Sequence, residues 1–161
     1  MLGTSKDIKY PGLNILPPGV ERHVVNGGGL TGFQVFPDDE IEIVNNEGNQ
    51  ICEIICFDKS GKSELGIFNL KENSKKNYIK NILLGKDESI LATNYQLKKR
   101  NLNISDSHAA IIFDPDTNAG EVIKLKSKDK CYAIFASPGD DMDVTNQNPP
   151  GELTIFIKRS K

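Results

Sequence analysis

The stretch Gln50-Ile51-Cys52-Glu53-Ile54-Ile55-Cys56-Phe57 is almost unbroken Ile, Cys and Phe, with a single carboxylate set inside it. β-Branched and aromatic residues suit a pleated backbone. A run that is apolar on both alternating faces fits a central strand covered on both sides. The stretch therefore predicts a β-rich core. It also places a charge where it must be paired, protonated or held at the strand's open end. Perturbed carboxylates of this kind can mark functional sites, so Glu53 is the candidate catalytic residue, although exposure on a wet sheet face accounts for it equally.

Further β signals lie on either side. Upstream are Arg22 to Val25, Gly32 to Phe36 and the alternating Glu40-Ile41-Glu42-Ile43-Val44, the last patterned as a half-buried strand. Asn45-Asn46-Glu47-Gly48-Asn49 reads as a turn of residues that tolerate left-handed backbone. Downstream, Asp58 to Lys62 turns the chain, and Leu65 to Asn69 suggests one more strand. The middle then changes period. Tyr78, Ile79, Ile82 and Leu83 recur at helical spacing within Asn73 to Leu84, with Ser74 a candidate cap. Asp87 is placed to cap a second helix to about Arg100, with Ile90, Leu91, Asn94 and Leu97 or Lys98 on one face. Strands return in Ala109 to Phe113, Glu121 to Leu125, Cys131 to Ser137 and Leu153 to Lys158. The first two are joined by the turn from Asp114 to Gly120, read as a hairpin.

This order predicts a mainly-β (α+β) fold, a β-barrel or sandwich of about eight to ten strands with a short two-helix insert. An irregular arm over 1–19, marked by Pro11-Gly12 and Pro17-Pro18-Gly19, precedes a single β-rich domain over 20–161, with the helical insert at 73–100. At 161 residues the chain is long enough for one real core, burying roughly 70% of its unfolded surface.

Composition excludes several classes. Hydrophobic residues at 37% and charged residues at 26% argue against wholesale disorder. With a net charge of −2 and only short basic runs, Leu97 to Arg100 and Lys124 to Lys130, there is no clustered cationic face for nucleic acid. No stretch approaches the ~20 apolar residues of a membrane span. Three cysteines, all in apolar runs, with no signal-like N-terminus, lead us to expect reduced, buried thiols and a cytoplasmic protein. Without secretion, the glycosylation-like Asn103-Ile104-Ser105 carries no meaning.

Each motif that suggests chemistry lacks a required part. Cys52 and Cys56 are spaced like a chelating pair, but on a strand they sit roughly 13 Å apart, beyond the reach of one zinc. Asp114, Asp116 and Asn118 start like a calcium loop, yet Ala119 and Leu125 occupy the positions that need Gly and Glu. Asp140, Asp141 and Asp143 read as loop surface. Ser60-Gly61-Lys62-Ser63 lacks the earlier glycine of a phosphate loop, because Cys56 stands there. Gly27-Gly28-Gly29-Leu30-Thr31-Gly32 lacks dinucleotide spacing, so tight backbone geometry explains its glycines. His23 and His108 have no nucleophile elbow beside them. We therefore expect no metal site and no cofactor site within the chain.

Three stretches carry a family resemblance: Arg22-His23-Val24-Val25-Asn26-Gly27-Gly28, then Asp39 to Glu53, then Ser137-Pro138-Gly139 with Met142, Gln147, Pro149-Pro150 and Leu153. From about Pro17 to Arg159 the chain resembles the N-terminal region of large aminomethyltransferase-like proteins, a family that includes trimethylamine N-oxide demethylases. Such proteins resemble, in order, a β-rich N-terminal region, a urea-carboxylase-associated metal domain and a folate-binding domain. The resemblance implies one-carbon metabolism. In the full-length enzyme, a zinc- or iron-bearing lyase unit would release formaldehyde, and tetrahydrofolate would capture it. In the metal domain a Gly-x-Gln-x-x-Asp turn supplies an acid. Here Gly48-Asn49-Gln50-Ile51-Cys52-Glu53 matches it, with Glu53 in the acid's place and no counterparts for the cysteine ligands. The chain so resembles a degenerate relative of the metal domain.

The expectation is a non-catalytic accessory or assembly domain, partnered by the remaining domains of the same enzyme or by self-association. One alternative is a stand-alone deiminase-like enzyme with Glu53 and a histidine around a metal. Another is a small-molecule-binding β-barrel that regulates a partner.

Overall fold

A computed structural model describes residues 16–139 and 150–160. Within them lie eight strands: β1 (Val20–Val25), β2 (Leu30–Val35), β3 (Glu40–Asn45), β4 (Cys52–Asp58), β5 (Ala110–Ile112), β6 (Val122–Lys126), β7 (Cys131–Ala136) and β8 (Leu153–Lys158). Two helices, α1 (Tyr78–Ile82) and α2 (Glu88–Lys99), are inserted between β4 and β5. Every pairing is antiparallel, in two four-stranded sheets ordered β1-β8-β3-β6 and β2-β7-β4-β5. The mainly-β expectation holds as a sandwich. No closed barrel forms among the described residues, because each sheet keeps two edges.

Apart from β4 and β5, successive strands alternate between the sheets, so the core sits between sheets that the chain repeatedly crosses. From the first sheet, Val25, Ile41, Ile43, Leu153, Ile155 and Ile157 face inward. They meet Phe33, Val35, Cys52, Ile54, Cys56 and Phe135 of the second. Ile41 pairs with Ile157 and Leu125, so a two-residue alternation places whole rows on one face.

The second sheet is covered on its other face too. Ile55, Phe57, Tyr132 and Ile134 pack there against Ile79, Leu83, Ile90 and Leu97 of the helical insert. This three-layer order explains why β4 and β7 read as continuous apolar runs while β3 alternates. The outer face of the first sheet carries no layer among the described residues.

Several local expectations are corrected. Leu65–Phe68 is a 3-10 turn rather than a strand, capped by the Glu64 carboxylate on Gly66 N and closed by Asn69 at φ 62°. The first helix begins at Tyr78 and not near Ser74. Ser74 is instead bridged to Ala109 in strand fashion, and the chain then bends through 75–76 before Asn77 turns left-handed at φ 49°. Asp87 does cap α2, accepting from Ile90 N at 3.0 Å. The buried face of that helix is Ile90, Thr93 and Leu97, however, and Leu91 is 55% exposed. Finally, Asp114 to Gly120 is no hairpin. β5 and β6 belong to different sheets, and the turn carries the chain across the sandwich. Residues 1–15, most of the expected arm, lie outside the described residues, as do Asp140, Asp141 and Asp143.

Candidate functional site

Glu53 lies mid-sheet on β4, opposite Ala136 of β7 and Ile111 of β5, on the face that carries the helices. It is 0% exposed. Stripping water from a carboxylate costs several kcal/mol unless protein donors replace it, and here three do. Oε1 accepts from Ile79 N at 2.7 Å, and Oε2 accepts from Tyr78 N at 2.9 Å and Ser74 Oγ at 2.6 Å. Tyr78 and Ile79 open α1, and the side chain of Asn77 makes no capping bond of its own. Glu53 therefore supplies the cap from another element. It satisfies amides that a helix start leaves open and fastens the insert to the sheet.

The cysteines are three free, buried thiols. Cys52 is pushed up out of the ordinary thiol range by burial and by the neighbouring Glu53 charge. Cys56 is pushed up by its contact with the Cys131 thiol and by burial, and its Sγ donates to Glu64 O at 2.9 Å. Cys52 and Cys56 point into the core between the sheets, whereas Glu53 faces the helical insert and is already engaged by three donors, so these side chains do not converge on one ion. Among the described residues no group of three His, Cys, Asp or Glu side chains converges as a metal cage would.

The remaining candidates are dispersed. His23 stacks on Phe33 with centroids 4.8 Å apart and meets Glu21 at 3.2 Å. His108 is exposed beside Glu72, ahead of β5 in the other sheet. Ser60 to Lys62 form a turn closed by Asp58 Oδ1, which accepts from Ser60 N, Ser60 Oγ and Lys62 N.

Two clusters escaped sequence reasoning. Gln50, 5% exposed, bridges distant loops. Its Nε2 donates to Pro138 O at 2.8 Å, and its Oε1 accepts from Gly151 N at 2.7 Å. Gly28 N donates to Ser137 O at 2.7 Å in the same region. Gly48, at φ 76°, fits against residues 117–119, where a side chain would meet Ala119 N at 2.6 Å. At the opposite end, Arg159 grips Glu21 through two nitrogens at 2.7 and 3.0 Å and Asp39 at 2.7 Å. Hydrogen bonding from Arg159 holds Glu21 below the ordinary carboxylate range. Burial alone would raise Asp39, but bonds from Phe36 N, Ser160 N and Arg159 outweigh it and hold it low. The signal for this cluster was available as three charges flanking strand ends, but only tertiary structure joins them.

No family model matches the chain. A trimethylamine-oxide aldolase of Ruegeria pomeroyi is 33% identical over 153 residues, covering 95% of this chain. The chain spans only 19% of that relative's length. Among solved structures, a DUF1989 family protein from Silicibacter pomeroyi is 12% identical, with a TM-score of 0.48 over 89% of this chain and 80% of that one. The sequence match extends through the Gln50 clamp and Glu53. No helix among the described residues is long and apolar enough to cross a membrane.

Proposed function

We propose that the chain is a non-catalytic accessory and assembly domain of a trimethylamine N-oxide demethylase-like enzyme of one-carbon metabolism. The observation that carries this reading is the sequence match, which runs along 95% of this chain yet occupies only 19% of the aldolase. Residues 20–161 form one unit, with 73–100 as its insert. The metal and folate chemistry belongs to other domains of the enzyme. Glu53, in the place of the acid in the metal domain's turn, is a structural cap, because its oxygens are already engaged by three donors. Three buried thiols with no disulfide support a cytoplasmic setting.

The surface best suited to assembly is the outer face of the first sheet. Strand register sets Val24, Thr154, Val44 and Val122 in one row across all four strands, with Phe156 beside it on β8. Val24 and Val122 are 38% and 44% exposed. Thr154 between them is 5% exposed and accepts from Asn46 Nδ2, so the exposed apolar surface is that of the two valines, which favours burial against another surface. Its occupant in this reading is another domain of the same enzyme.

Purified chain supplied with trimethylamine N-oxide, iron(II) or zinc(II) and tetrahydrofolate should yield no formaldehyde above a protein-free blank. Turnover that Glu53→Gln abolishes without unfolding the protein would overturn the reading.

A further inference from the structure

We infer that the helical insert is a docking face for a second copy of this chain, which it meets at that copy's acidic loop end.

Charge in the chain is segregated. Residues 73–100 hold seven Lys and Arg side chains against two carboxylates, Asp87 and Glu88, so the insert carries +5 in a chain whose net charge is −2. Lys86, Lys98 and Lys99 are exposed and form no ion pair among the described residues. Apolar side chains stand uncovered among them. Leu91 and Tyr95 are 55% and 61% exposed, and their four-residue spacing sets them side by side on one face of α2, with Lys98 next along it. The Asn94 amide, on the same face, donates to Leu83 O at 2.9 Å. That bond holds the end of α1 against this flank, where Leu84 is 79% exposed. Three large apolar groups on a lysine-rich layer favour burial against an anionic surface.

The complementary surface lies at the ends of the strands. Residues 45–49, 114–121 and 150–152 carry Glu47, Asp114, Asp116, Glu121 and Glu152, and no Lys or Arg. Hydrogen bonds join the three loops into one surface. Asn49 N donates to Thr117 O at 2.7 Å, Gly120 N to Asn45 O at 2.7 Å, and Asn46 Nδ2 to Glu152 Oε1 at 2.8 Å. Pro115 and Ala119 are exposed there and offer apolar ground between the carboxylates. The insert lies over the face of the second sheet, whereas these loops follow β3 and β5 and lead into β6 and β8. The contact therefore joins two different patches and is heterologous. Its opposed charges steer and orient the encounter, while Leu84, Leu91 and Tyr95 supply the apolar anchors.

The test is sedimentation velocity of the purified chain. Association is expected at about 100 μM chain in about 20 mM NaCl, weakened about tenfold or more at about 500 mM, because exposed charges are screened. Leu91→Gln combined with Lys98→Gln, in the insert, should abolish it. Asp114→Asn combined with Asp116→Asn, in the loops, should do the same, both with circular dichroism unchanged. The two variants mixed should pair again, since each keeps the surface that the other has lost. A parent that stays monomeric at low salt would overturn the proposal. So would association indifferent to salt or to either double variant, or a mixture that stays monomeric.

Discussion

The Glu53 carboxylate and the Ile79 amide lie 2.7 Å apart, joining the start of β4 to the first turn of α1 across 26 residues of sequence. That bond ties the third layer to the sandwich, and its partners at Tyr78 and Ser74 complete the carboxylate's shell. Glu53→Gln replaces one acceptor with a donor facing other donors. Equilibrium denaturation should show a loss of about 2–4 kcal/mol. Hydrogen exchange should show the Tyr78 and Ile79 amides losing protection before those of β7.

Gly32→Ala drives a methyl group into the Tyr132 phenol, whose Oη and Cζ would lie 2.3 and 2.8 Å away. The expected cost is about 1–3 kcal/mol. Adding Tyr132→Phe should recover part of it and leave the contact with Cζ. A double-mutant cycle reads the coupling directly, and additive effects would contradict the steric account.

The Arg159 cluster sets an acid limit on stability. Glu21 and Asp39 are both held below their ordinary values. Their contribution is thus fully present above about pH 5 and is lost as pH falls through the depressed folded-state values. Arg159→Met should cost about 3 kcal/mol at pH 7, toward the low end for a buried pair because the Glu21 side chain is 42% exposed. The gap between the two proteins should close below pH 4 in urea melts. A constant gap from pH 7 to 3 would place the effect in packing instead.

Gln50→Leu keeps the side chain's size but strips Pro138 O and Gly151 N of their partner. A loss of about 2–3 kcal/mol is expected from thermal or urea unfolding. A change below half of that would show that water replaces the amide at no cost.

The sheets were legible because a two-residue period survives in the sequence. Ile41 and Ile43 point one way, Glu40 and Glu42 the other, and β4 shows no alternation because both of its faces are covered. The crossing of Asp114 to Gly120 was not, since a turn's composition does not encode which sheet receives the next strand. Ser74 was misplaced as a cap because Ser is a strong N-cap type by local rule, while the capping oxygen came from Glu53, 25 residues before Tyr78. Glu53 itself was legible as an anomaly, but its partners were not. Gly32 and Tyr132 are separated by 100 residues, and the space one gives the other appears only when β2 and β7 pair.

The assembly role is tested most directly by the affinity of this chain for the remaining domains of the same enzyme, measured by sedimentation with Val24→Lys and Val122→Lys beside the parent. The account predicts association at about micromolar strength or tighter, weakened more than tenfold by either substitution, with unfolding midpoints unchanged. No association of the folded parent, or equal affinity in both variants, would contradict it.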